Sequence, residues 1–181
     1  MVVSEPYNVV LLIEQELTKR DAAQVHSLHE GIEDPVVYHV LLPIEDASAR
    51  VEAAMGSLAA GEVMATPAMV MSDADLEALR RDCEERSTDE LTHTMAALRA
   101  SGAEAVGTVV TEPPIDALTA KVAEVDGREA IILTRPHIVA EFFHVDWTSR
   151  ARRKIGVPVL HLLEHESFDE QAGEGEGITG V

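Results

Sequence analysis

The stretch that decides the fold is Glu129–Glu164, EAIILTRPHIVAEFFHVDWTSRARRKIGVPVLHLLE. It parses as strand, loop, helix, strand. Ala130–Leu133 is a short apolar run with β-branched residues, bounded by Gly127 and Pro136. A parallel strand buried on both faces has this character. Asp146 can cap the helix by accepting an orphan N–H of its first turn. Trp147, Ala151 and Ile155 then fall four apart on one helical face. Gly156 stops the helix and Pro158 prevents its return. A second apolar run, Val157–Leu163, follows. The unit is a strand-loop-helix-strand crossover, expected to be right-handed. Ligands in such sheets sit at the carboxyl ends of the strands. Here those positions are Thr134, Arg135, Pro136 and His137.

Working outward, the same alternation fills the chain. Val9–Ile13 is an apolar run that reads as a central strand, with Glu14, Gln15 and Glu16 at its carboxyl end. Those carboxylates can open the next helix and favour its dipole. That helix includes Val25 and Leu28 and stops near Gly31. Val36–Leu42 is the second strand. Ser72 with Asp75, and Ser87 with Glu90, have capping-box spacing. They mark either two helices or one helix with a break near Ser87. Leu76, Leu79 and Cys83 line the first apolar face; Leu91, Met95 and Leu98 line the second. Ala105–Val110 is the third strand. Pro114 suits the first position of a helix, where its missing N–H costs nothing. Ile115, Leu118, Val122 and Val125 make that helix's apolar stripe, and Gly127 closes it. Strands alternating with helices predict a doubly wound α/β domain. A (β/α)8 barrel needs roughly 200 residues or more and further units that this chain does not show.

Two segments stand apart from the alternation. Residues 43–71 form an insertion after the second strand. Ala47–Leu58 can be helical there, and four of the chain's six methionines fall at 55, 64, 69 and 71. Methionine suits an adaptable lid or partner surface, and equally suits gap-filling packing. Residues 169–181, DEQAGEGEGITGV after Phe168, read as a disordered acidic tail. One domain over residues 1–168 is expected.

The opening stretch resembles the C-terminal half of the universal stress protein family. The residues that carry the resemblance are the strand AIILT, the helix DWTSRARRKIG and the last strand VPVLHLL. The resemblance implies a Rossmann-like five-stranded parallel sheet in the order 3-2-1-4-5, of the adenine nucleotide alpha hydrolase type. The nucleotide-binding branch of that family carries G-x2-G-x9-G-[ST] between these strands. Here Thr134 and His137 stand where the first two glycines would be, and Val145 and Asp146 stand where Gly-Ser would be. The resemblance therefore implies the branch without the glycine loop, acting as a stress-linked binding or interaction module. An acidic residue after the first strand contacts adenine in that family, and Glu14 or Glu16 would match it. Many members dimerise through the last strand, here Val159, Leu160, His161, Leu162 and Leu163.

Composition sets the remaining bounds. The chain has 181 residues, 46% of them hydrophobic, and a net charge of −19. That charge repels phosphate, so neither nucleic acid nor an anionic membrane is an expected partner. Cys83 is the single cysteine, which excludes an internal disulfide and suits a reducing cytoplasm. No signal peptide or transmembrane run is evident.

The loop after the fourth strand carries the functional argument. Glycine loops bind triphosphate because backbone N–H groups approach it closely. Pro136 removes one such donor. The side chains of Arg135 and His137 obstruct approach. Asp146 places a negative charge where phosphate would lie. Two unit charges about 4 Å apart repel by roughly 4 kcal/mol at an effective dielectric near 20. Such a penalty turns micromolar affinity into about millimolar. No resident cofactor is expected; ATP or AMP is the ligand class that the resemblance leaves open. Arg135 and a protonated His137 could hold an anion through side chains, with Thr134 and Thr148 beside them. Alternatively Arg135 pairs with a carboxylate such as Asp146. An enzymatic reading would use His137, His144 and Asp146. Nothing in the sequence has the spacing of a P-loop, G-x-S-x-G, H-E-x-x-H or C-x-x-C. Arg150, Arg152, Arg153 and Lys154 spread around their helix and meet its C-terminal dipole. His161 and His165, about 13 Å apart along a strand, cannot share one ion.

Overall fold

The computed structural model describes residues 5–44, 72–134 and 152–163. The elements run β1 (Tyr7–Ile13), α1 (Lys19–Ser27), β2 (Val36–Pro43), α2 (Asp73–Ala100), β3 (Glu104–Val110), α3 (Pro114–Glu124), β4 (Glu129–Thr134) and β5 (Val159–Leu163). Residues 152–155, just before β5, are helical. The five strands form one sheet in the order β3-β2-β1-β4-β5, and every neighbouring pair is parallel. The expected fold class and strand order are those observed. The helical insertion and the acidic tail lie outside the described residues, apart from Pro43 and Ile44.

The central strands are apolar on both faces because helices cover both. Val9, Leu11 and Ile13 of β1 join Val40 and Leu42 of β2 on one face, beneath Val25 of α1 and Leu91, Met95 and Leu98 of α2. Val10 and Leu12 turn the other way and meet Leu118 and Val122 of α3, with Ile155 beside them. Period-two alternation in β1 thus feeds two separate cores.

Three local readings change. The capping carboxylates of α1 are not Glu14 and Glu16, because the helix starts later, at Lys19. Thr18 caps it, accepting from the Asp21 N–H while Asp21 reaches back to the Thr18 N–H. The second capping box does not break α2, which runs unbroken from Asp73 to Ala100 after its Ser72–Asp75 box. Cys83, Ser87, Leu91, Thr94, Met95 and Leu98 form one buried stripe along it, so a break at Ser87 would unseat half of that face. Thr88 and Thr92 donate to the carbonyls of Glu84 and Thr88 at 2.8 Å, satisfying their hydroxyls within the helix. Gly127 closes α3 in a different manner from that expected. Asp126 takes the left-handed turn at φ 50°, which aspartate tolerates better than most residues. Gly127 is needed for close approach: a Cβ there would sit 3.2 Å from Val10 Cγ2 and 3.3 Å from Val122 Cα.

Candidate functional site

In this sheet the strand order reverses between β1 and β4, and in open α/β sheets the crevice at the carboxyl ends of such strands is where ligands bind. The last registered pair is Ile13↔Leu133. One step beyond it stand Glu14 and Thr134. Both are residues that the sequence singled out, and each follows the last residue of its strand registered in this pair.

Thr134 ends β4 with 9% of its surface exposed. Its hydroxyl is 2.8 Å from Nε2 of His161 on β5. His161 registers with Ile132, so the bond runs diagonally across the two strands. The ring is half-buried, and burial holds its pKa below the ordinary histidine value. His161, expected only as part of the last-strand edge, also bonds to the end of β4. Parallel pairing makes this legible afterwards, since residues two apart on neighbouring strands share a face.

The segment after β1 is tied down at each step. The Leu17 N–H donates to Thr94 Oγ1 of α2 at 3.0 Å, in a fully buried contact. Glu16 pairs with His93 at 3.2 Å. Asp21 places a carboxylate in the first turn of α1, where it favours the helix dipole and accepts the Thr18 N–H. A groove lined by Glu16, Leu17, Thr18, Lys19, His93 and Ala97 lies beside this segment.

At the opposite, amino end of the strands lies a polar cluster that sequence reasoning missed. His29 is buried, with Nδ1 2.6 Å from the Tyr38 hydroxyl and 3.2 Å from the Val25 carbonyl. Its Nε2–H donates to the Glu129 carboxylate. Burial, reinforced by the Glu129 charge, pushes the Tyr38 phenol well above its ordinary pKa. Tyr38 thus stays protonated and works as a hydrogen-bonding group. The cluster fastens the end of α1 to the sheet on the side away from the crevice. Its members come from three elements, and no local spacing signals them. On the other face, Asn8 donates to the Val125 carbonyl at 2.6 Å and accepts from His39 at 3.0 Å. Burial, then the Lys121 charge, lowers the His39 pKa.

Arg135, His137, His144, Asp146 and Thr148 lie outside the described residues. Among those described, no group of three or more His, Cys, Asp or Glu residues could hold a metal ion. Cys83 is buried on the core face of α2, in no disulfide. No described helix is long and apolar enough to cross a membrane. At the far edge of the sheet, Leu160 of β5 is 40% exposed.

No protein-family model and no curated protein matches the sequence. Solved structures are similar to the chain in fold. Hypothetical protein MJ0577 aligns over 89% of this chain and 99% of its own, with 13% identity and a TM-score of 0.57. A universal stress protein from Archaeoglobus fulgidus aligns over 85% of this chain and 91% of its own, with 14% identity and a TM-score of 0.49. A universal stress protein family protein from Arabidopsis thaliana with AMP bound aligns over 87% and 92%, with 12% identity and a TM-score of 0.49. At such identities the likeness is one of fold.

Proposed function

We propose that this chain is a binding and interaction module of the universal stress protein type, from the branch without a glycine loop. Its crevice would bind ATP no tighter than about 100 μM, or some −5.5 kcal/mol. The observation that carries this reading is the state of Thr134. By the sequence resemblance it stands where the first loop glycine would be, and it ends β4 beside the switch point between β1 and β4. Instead of leaving room for phosphate to reach the backbone, it supplies a side chain whose hydroxyl is bonded to His161. Asp21 at the start of α1 supports the same reading, because its carboxylate accepts the Thr18 N–H and puts a negative charge at that helix start. Arg135, Pro136, His137 and Asp146 add the sequence argument: lost backbone donors and a misplaced negative charge. Weak capture of a nucleotide or small anion through Arg135 and His137, with Glu14, Thr134 and Thr148 nearby, is the residual capacity of such a site. Calorimetry with ATP tests the reading; low-micromolar affinity would refute it.

The module would act as a homodimer paired through β5. Among the described residues that strand is one of the two sheet edges, and four of its five residues are Val or Leu. An edge carries unpaired N–H and C=O groups that invite a further strand. Antiparallel pairing about a two-fold axis would satisfy both edges at once. The exposure of Leu160 supports a face that a second copy covers. A reducing cytoplasm suits the single buried thiol.

A further inference from the structure

We propose that Arg99 closes the β3 edge of the sheet: with its guanidinium on the Ala105 carbonyl, a second copy of this chain cannot pair there. This goes beyond the proposed β5 contact and does not depend on it. Among the described residues β3 is the other outer strand, and it has the composition of a strand that pairs readily. Ala105–Val110 reads AVGTVV, with no charge and no proline. Exposed edges of that kind invite a second strand. Val106 adds apolar surface, being 54% exposed.

The ladder fixes which backbone groups look outward. The Ile44 N–H donates to the Val110 carbonyl at 2.9 Å, so Val110 turns its peptide groups toward β2. Successive residues of a strand direct N–H and C=O to opposite sides. Thr108, Val106 and Glu104 therefore face β2, while Val109, Gly107 and Ala105 face the open side. Among the described residues, no group bonds to Gly107 or Val109 from that side. Ala105 differs: Arg99 Nη2 donates to its carbonyl at 3.1 Å. Arg99 reaches it from the last turn of α2.

Pairing at this edge joins two copies antiparallel about a two-fold axis at Gly107. Gly107 would face the same residue of the second copy, and each Ala105 would face Val109. Such opposed residues exchange both N–H···O bonds. The joint thus needs the Ala105 carbonyl of each chain, and Arg99 holds both. An oxygen has a second lone pair, but a neighbouring strand lies only about 4.8 Å away. A guanidinium 3.1 Å from the carbonyl stands in that gap. To admit the strand, both arginines must give up charge-assisted hydrogen bonds.

The test is the assembly state of the full-length protein and of Arg99→Met, by sedimentation from about 10 μM to 1 mM. Methionine keeps an unbranched stem and removes every donor. At the top of that range Arg99→Met is expected to sediment at twice the wild-type mass or more. Mass is read against the wild type, so the expectation is the same for a monomer and for a β5 dimer. A variant of unchanged mass would overturn the proposal. Amide exchange locates the contact. In the wild type, Gly107 and Val109 should exchange quickly at every concentration, and Val106 and Thr108, which face β2, slowly; this needs no variant to fold. In Arg99→Met, Gly107 and Val109 should slow by about tenfold or more as concentration rises. Larger mass with no slowing at those two amides would overturn the proposal, as would slow, concentration-dependent exchange of them in the wild type. A monomeric wild type beside a dimeric Arg99→Met would uphold Arg99 and refute the β5 dimer.

Discussion

Replacing Thr94 by valine should loosen the segment that carries the β1 side of the crevice. Thr94 has no exposed surface and Leu17 is 2% exposed. The Leu17 N–H donates to Thr94 Oγ1 at 3.0 Å, across 77 residues of sequence. Valine keeps the branched shape and removes the acceptor. A buried donor left unpaired costs about 1–3 kcal/mol. The methyl group that replaces the hydroxyl returns up to about 0.8 kcal/mol by burial. The net loss expected is therefore roughly 1–2 kcal/mol. With a urea slope of about 2 kcal/mol/M, the unfolding midpoint should fall by about 0.5–1 M. Hydrogen exchange locates the effect, because the Leu17 amide should lose protection by about five- to thirtyfold. Thr94→Ser is the control. It gives up a methyl group and some stability, yet keeps the oxygen and with it the protection of Leu17. If Leu17 exchanged equally slowly in the valine variant, the hydrogen bond would not be what anchors this segment.

Gly107→Ala should destabilise by about 1–3 kcal/mol through overpacking, since the new Cβ would lie 2.8 Å from Leu91 Cδ1 and 3.0 Å from Met95 Sδ. Combining it with Leu91→Ala should cost less than the sum of the two single changes, measured by denaturant unfolding. His39 and His161 both have folded pKa values below 6.5, chiefly through burial. The unfolded chain therefore binds more protons below that value, and stability should fall as pH drops from about 7 toward 5. Thermal melts of His39→Gln across that window should show a shallower fall; an identical slope would remove His39 from the account. Sedimentation at micromolar concentration should show a dimer, and His161→Pro should dissociate it by deleting an edge N–H and bending the strand. A wild-type species of 19.6 kDa would reject the dimer, and a dimer that survives the proline would move the interface off β5.

Much of the fold was written in local pattern. Val9–Ile13 and Ala130–Leu133 are apolar without interruption because helices cover both faces of their strands. Their neighbours in sequence, turns and helix starts, use proline, glycine and capping residues whose chemistry acts over a few residues. Pro114 at the head of α3 and the Ser72–Asp75 box are of this kind. The pairing of Ile13 with Leu133 was half legible: each lies in a recognisable strand, and the expected strand order sets those strands side by side.

What local pattern could not decide is where buried polar groups find partners. Ser87 with Glu90 has the spacing of a helix start, yet the buried stripe from Cys83 to Leu98 keeps α2 continuous. Packing of a whole face outweighs a single cap. The His29–Tyr38–Glu129 cluster joins residues 100 apart, and the Leu17–Thr94 contact spans 77. The Thr134–His161 bond spans 27. A hydrogen bond needs atoms within about 3 Å, and chain separation says nothing of that until the sheet has brought the strands together. Sequence by itself determined which segments must be strands and helices, because burial demands a period. Only the tertiary structure decided which polar side chains meet, because those contacts are between elements and obey no period at all.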